Sequence, residues 1–158
     1  ITPGVVVYGK AVLNNTNIYG TKFSKQDTLK YPIYDLVLTN YTDTTINGGK
    51  IGTIFTWNHA GLKINGAEVD TILTATTKTK ATSGIFVNSG SKVNLIDVNE
   101  SDPYAYKAKI VIESGATVNT LDLRGTTDAA VIDIKAGAIV NKIITDHGEM
   151  TLEEWKAL

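Results

Sequence analysis

The chain reads as an all-β parallel solenoid of about five to six turns, closed by a short C-terminal helix. Three observations predict it. Apolar residues alternate in short β-branched runs, one glycine-centred unit recurs in order along the chain, and a helix signal is confined to the C-terminal end.

The repeat is clearest in the second half. Ile85–Val98, Ile110–Leu123 and Ile132–Thr145 align on Gly90, Gly115 and Gly137, which lie 25 and 22 residues apart. Upstream, Thr45–Thr56 aligns with Lys63–Thr74, and a weaker copy at Val12–Ile18 is expected as a first turn. Before each glycine apolar residues alternate (Ile85/Val87, Ile110/Ile112, Ile132/Ile134), the period of a strand with one buried face. The glycine pair turns the chain, because glycine adopts positive φ at little cost. Three residues on, Ile51, Val69, Val93, Val118 and Val140 restart the buried face, and a second strand follows. No unit can bury its apolar face alone, so the units must stack and share a core. An antiparallel sandwich also has short, evenly spaced strands. It does not require the same side chain to recur at the same place in each unit.

That recurrence is seen at Asn94, Asn119 and Asn141, each directly after the buried valine. Stacked one strand spacing apart, about 4.8 Å, their amides can hydrogen-bond up and down the stack. Gly52 and Asp70 occupy the position in the earlier turns, so this asparagine ladder is expected only in the last three. Residues 1–44 read as an irregular N-terminal turn and loop, 45–146 as regular rungs, and 147–158 as the cap. Thr151 and Glu154 have the spacing of a helix capping box, and Trp155 shares a face with Leu152 suited to plugging the last turn.

Composition narrows function by exclusion. With 158 residues the chain suits one domain, and a net charge of −1 offers no basic footprint for nucleic acid or an anionic membrane. Arg124 is the only arginine, which leaves little for bidentate anion clamps. There is no cysteine, hence no disulfide framework or thiolate metal site, and no apolar run is long enough for membrane insertion. Gly48-Gly49-Lys50 lacks the rest of a P-loop, and no cofactor is implied. Because it starts at Ile1 rather than Met, the sequence is expected to be a trimmed or excised fragment.

Candidate chemistry is sparse. Asp97 and Asp122 take equivalent places in successive units and are expected to point outward one above the other, with Arg124 on the same face. Stacked carboxylates repel, and a raised pKa on one would suit a general acid in a glycosidase. The bland alternative is a solvated pair on an exposed sheet. Asp97, Glu100 and Asp102 gather oxygen ligands of the kind Ca²⁺ takes, without the spacing of a known calcium loop. Neither catalysis nor metal binding is the favoured reading. Aromatic residues outside the expected core, Tyr31, Tyr34, Tyr41, Trp57, Tyr104 and Tyr106, are the better candidates, since flat rings can stack on sugars. They fall largely in two departures from the repeat, residues 20–44 and 99–106.

The Gly-x-x-Val-Asn units, each preceded by a strand, resemble the single-stranded right-handed parallel β-helix of pectate-lyase-like proteins, bacterial surface adhesins and bacteriophage tailspikes. The resemblance covers roughly residues 45–146 and rests on rung pattern and ladder. It implies an extracellular, cell-surface or virion protein that recognises polysaccharide or a cell surface, and, as in trimeric tailspikes, one able to self-assemble as a homo-oligomer. Lyases of this kind use arginine or lysine near Ca²⁺. A non-enzymatic structural or binding module is therefore expected, with a polysaccharide-degrading enzyme as the alternative.

Overall fold

The computed structural model describes residues 4–20, 34–39, 41–56, 60–74, 84–98, 109–124 and 131–158. It is all-β apart from one short C-terminal helix, and its mostly parallel strands form a single curled sheet. The N-terminal part comprises β1 (Val5–Val7), β2 (Lys10–Ile18) and β3 (Leu36–Leu38), followed by β4 (Asp43–Thr56), 14 residues long. Short strands then alternate: β5 (Gly61–Asn65), β6 (Glu68–Thr74), β7 (Gly84–Val87), β8 (Lys92–Asp97), β9 (Lys109–Ile112), β10 (Thr117–Asp122), β11 (Val131–Ile134) and β12 (Ile139–Thr145). A last strand, β13 (Gly148–Met150), precedes α1 (Leu152–Lys156).

The pairing arranges these strands in two columns. In one, β2, β4, β5, β7, β9 and β11 stack in parallel; in the other β4 is followed by β6, β8, β10 and β12. Because β4 runs through both columns without interruption, the two belong to one sheet. Each pass of the chain therefore lies one level beyond the last, an arrangement compatible with a solenoid. The register agrees with the repeat read from sequence: Thr45 faces Lys63 and Thr56 faces Thr74, Ile85 faces Ile110, and Val93, Val118 and Val140 stand in one row.

The regular pairing also reaches below residue 45, for β2 matches β4 from Lys10 opposite Asp43 to Ile18 opposite Ile51. Leu36 then faces Ile54. Two residues separate Ile51 from Ile54, whereas 17 separate Ile18 from Leu36, so this level carries a 15-residue insertion.

The core lies inside the curl. Ile46, Ile64, Val87 and Ile112 form one fully buried row, and Ile54, Ile72, Ile96 and Leu121 another. Each such side chain contributes about 1.5–3 kcal/mol when removed from water. β-Branched residues suit these rows because their fixed χ1 packs well on a pleated surface.

The C-terminal end is closed as the sequence suggests, with one addition. Thr151 Oγ1 accepts from the Glu154 amide at 3.1 Å, and Leu152 and Trp155 pack against the core. Before the helix, β13 folds back antiparallel on β12, with Ile143 opposite Met150. That reversal ends the parallel stacking in this column.

One core row contains a buried hydroxyl with no partner. Ala11, Thr44, Leu62 and Ile85 lie in register, and Thr44 is fully buried with its hydroxyl lacking any hydrogen-bond partner. An unsatisfied buried hydroxyl costs about 1–3 kcal/mol. Thr44→Val keeps the shape and removes the hydroxyl, so it is expected to raise stability by about 1–2 kcal/mol. Urea unfolding checks this: the midpoint should rise with an unchanged m value. A lower midpoint would mean the hydroxyl is satisfied.

Candidate functional site

Three arrangements of polar or aromatic side chains stand out, and each is set by the register of the stack. The first is a pair of asparagine ladders, each at a different corner of the stack. At the corner between β8 and β10 strand residues, the Asn119 amide donates to Asn94 Oδ1 and Asn141 donates to Asn119 Oδ1, both at 3.2 Å. This is the ladder expected from sequence. Direct pairing skips these three residues, and skips Gly52 opposite Asp70 below them, which marks the place where the strands bend.

A second ladder stands at the glycine corner. Asn47 donates to Asn14 at 3.0 Å, Asn65 to Asn47 at 2.9 Å, and Asn88 to Asn65 at 2.7 Å. It was not foreseen, although its signal lay in the same aligned units: an asparagine ends the apolar alternation just before the glycine turn at residues 47, 65 and 88. The glycine-corner ladder occupies the lower levels and the Asn94 ladder the upper ones. They overlap on the level that holds both Asn88 and Asn94.

The glycine corner changes form at that level. In the lower turns one strand ends Asn47-Gly48 or Asn65-Gly66; above, it ends Asn88-Ser89-Gly90, one residue longer. The longer corners are β-turns, with Ser91, Ala116 and Ala138 amides donating three residues back at 3.1 Å and with Gly90, Gly115 and Gly137 at φ of 81, 81 and 85°. Only glycine adopts that conformation without strain. Gly90 and Gly115 amides donate up the stack to the next glycine carbonyl, at 2.9 and 3.1 Å. Gly66, below the change of corner, donates instead to Ser91 Oγ at 3.0 Å, and that hydroxyl donates to Ile64 O at 2.9 Å. Ser91 is fully buried in a row otherwise held by Ala67, Ala116 and Ala138. It joins the two corner types.

The second arrangement is acidic. Asp97 and Asp122 are in register, as expected, but they are not a repelling pair aimed at solvent. Asp122 is buried and bound by Arg124, with Nη2 to Oδ2 at 2.7 Å, Nε to Oδ1 at 3.0 Å and the Arg124 amide to Oδ1 at 3.1 Å. That guanidinium holds the Asp122 carboxyl below its ordinary value, outweighing the upward push of burial. A general acid would need the opposite shift to the one at Asp122. Asp122 in turn raises the Arg124 pKa, and Asp97 and Asp146 add smaller attractive fields. Among the described residues no three His, Cys, Asp or Glu side chains are placed to hold a metal ion. Glu100 and Asp102 lie outside the described residues.

The third arrangement is aromatic. Tyr34 is buried at 8% exposure and stacks on Phe55 with ring centroids 4.6 Å apart. Expected outside the core, it instead packs the end of the insertion against Phe55 of β4. Tyr41 is 79% exposed, with φ at 60°, and Tyr8, which sequence reading passed over, is 83% exposed. They flank one corner on neighbouring levels, where Thr39 and Asp43 amides donate to Val7 and Gly9 carbonyls. Lys10 and Asp43, paired and both exposed, start the strands that follow. Tyr31, Trp57, Tyr104 and Tyr106 lie outside the described residues.

The Asp122–Arg124 pair predicts a pH signature. A folded-state pKa below the unfolded one adds stability above the unfolded value, and that stability is lost as pH falls through the folded one. Asp122→Asn is therefore expected to destabilise at neutral pH, with the deficit vanishing as pH falls below 3.8, the ordinary carboxylate value. Urea midpoints of both proteins across that range test this; a deficit that persists in acid would overturn it. Comparison with protein-family models, with curated proteins and with solved structures finds no match for this chain.

Proposed function

We propose that the chain is a non-enzymatic structural and binding module, a right-handed parallel β-helix that presents a polysaccharide-binding edge on an extracellular bacterial surface or bacteriophage tail protein. One observation carries the reading. Every connection between levels leaves and re-enters the sheet along one corner, after Leu38, Thr56, Thr74, Val98 and Arg124 and before Asp43, Gly61, Gly84, Lys109 and Val131. The other two corners are short turns that carry the asparagine ladders, apart from the 15-residue insertion between Ile18 and Leu36. A scaffold whose connections between levels gather along one edge is arranged like one whose loops do the binding.

Tyr8 and Tyr41 lie on that edge, with Lys10 and Asp43 beside them. Exposed rings offer flat faces to sugar C–H groups, and a neighbouring ammonium and carboxylate can hydrogen-bond the hydroxyls. Right-handed closure follows the general rule for parallel strands joined by crossovers within one sheet, obeyed in about 98% of cases. The degradative alternative would work through Asp97, Asp122 and Arg124, and the low pKa of Asp122 weighs against it.

Affinity electrophoresis against a panel of bacterial and plant polysaccharides, with reducing-end release followed in parallel, tests the proposal. Binding without release is expected. Stacking is worth about 0.5–1.5 kcal/mol per ring, so the double variant Tyr8→Ala/Tyr41→Ala should bind about tenfold more weakly at an unchanged fold. Unaltered binding by that variant would remove this edge from the site. Sugar release lost in Asp122→Asn would favour the enzyme.

A further inference from the structure

We propose that Asn47 and Asn65 are latent deamidation sites that the glycine-corner ladder holds shut while the sheet is folded. They are the only asparagines followed by glycine in the chain. Glycine lacks the Cβ that would hinder its own nitrogen, so the Asn-Gly peptide is intrinsically exposed to self-attack.

In that reaction the glycine nitrogen bonds to the asparagine Cγ and gives up its proton to solvent. The Cγ–Nδ2 bond breaks, nitrogen leaves as ammonia with a proton from water, and a succinimide ring remains. Water then opens the ring at either carbonyl. The products are aspartate or isoaspartate, with no oxidant or reductant involved.

Attack requires Cγ to swing forward over the next nitrogen, whereas the ladder aims each amide along the stack. Asn65 is held on both sides, donating to Asn47 at 2.9 Å and accepting from Asn88 at 2.7 Å. Its nucleophile is held as well: the Gly66 N–H donates to the buried Ser91 hydroxyl at 3.0 Å. Among the described residues Asn47 is held by the ladder, between Asn14 and Asn65. Ser91 thus guards one site and not the other.

The product could not close the ladder again. A carboxylate at position 65 has no N–H to donate to Asn47 Oδ1, and isoaspartate lengthens the backbone within a corner whose register is fixed. Time spent with the corner open would therefore accumulate as an irreversible covalent mark. This does not depend on what the tyrosine edge binds.

Incubating the full chain at mildly alkaline pH, folded and in urea, with peptide mapping that separates aspartate from isoaspartate, tests the proposal. Folded protein is expected to react at both sites at least about tenfold more slowly than unfolded protein, the effect of losing two net hydrogen bonds of about 1 kcal/mol each. Ser91→Ala should speed Asn65 several-fold and leave Asn47 unchanged. Asn88→Ala, which removes a ladder amide but keeps the Ser91 bond, should also speed Asn65. Circular dichroism reports whether each variant is folded. If Ser91→Ala unfolds, both sites accelerate together and the Asn88→Ala result decides. Equal folded and unfolded rates, or a wild-type rate at Asn65 in the folded variants, would overturn the proposal.

Discussion

Each side chain in the stacked part of this molecule has, as its nearest neighbour, the side chain at the same place one level away. Parallel strands lie about 4.8 Å apart, and the register leaves no freedom to shift without turning the whole buried face outward. Whatever occupies a position must therefore tolerate a copy of itself or a fitting partner above and below. Isoleucine and valine meet this condition inside, where they interlock. Asparagine meets it at corners, because its amide is both donor and acceptor and can link copies of itself indefinitely. An ionised carboxylate does not. That is why Asp122, stacked on Asp97, turns to Arg124 on its own level.

The same condition makes a change of corner costly, and the molecule handles it on one level. Between the turns of Gly66 and Gly90 the corner gains a residue, and the glycine amide of the lower turn loses the carbonyl that serves the upper ones. A hydroxyl in the small-residue row supplies the acceptor. Serine suits the place because its oxygen accepts from Gly66 while its proton goes to Ile64, so both buried groups are satisfied. The two ladders exchange roles on the same level, with Asn88 ending one and Asn94 beginning the other.

Much of the fold was legible because it is written by repetition. The valine row, the Asn94 ladder, the pairing of Thr45–Thr56 with Lys63–Thr74 and the Thr151 cap all rest on local signals that recur or stand alone. What escaped was set by position in the stack. β2 reads weakly as a repeat because an apolar residue stands in its outward-facing row: Val12 is 62% exposed and in register with Thr45 and Lys63. The glycine-corner ladder escaped because the extra corner residue separates Asn88 from its glycine, so aligning on glycines places the asparagines out of phase. Tyr34 and Tyr41 look alike in sequence, but one packs against Phe55 and the other faces solvent, a difference created by where the insertion returns.

That return also explains why the Asn94 ladder stops where it does. Asp35 ends the insertion and is buried, and its carboxylate accepts from the Thr53 amide at 2.7 Å. To reach that amide it crosses the space in which any side chain at position 52 would lie: a Cβ there would meet Asp35 Oδ2 and the Tyr19 backbone. Gly52 is therefore an accommodation to its neighbour one level down. Asparagine at this corner is excluded by the insertion, and Asp70 above it consequently has no amide beneath to stack upon. The lower levels hold their register by the other corner instead, where Asn14, Asn47 and Asn65 stand clear of the insertion. A lateral loop and an asparagine ladder cannot share a corner in so tight a stack, and the division of the two ladders between lower and upper levels follows from that exclusion.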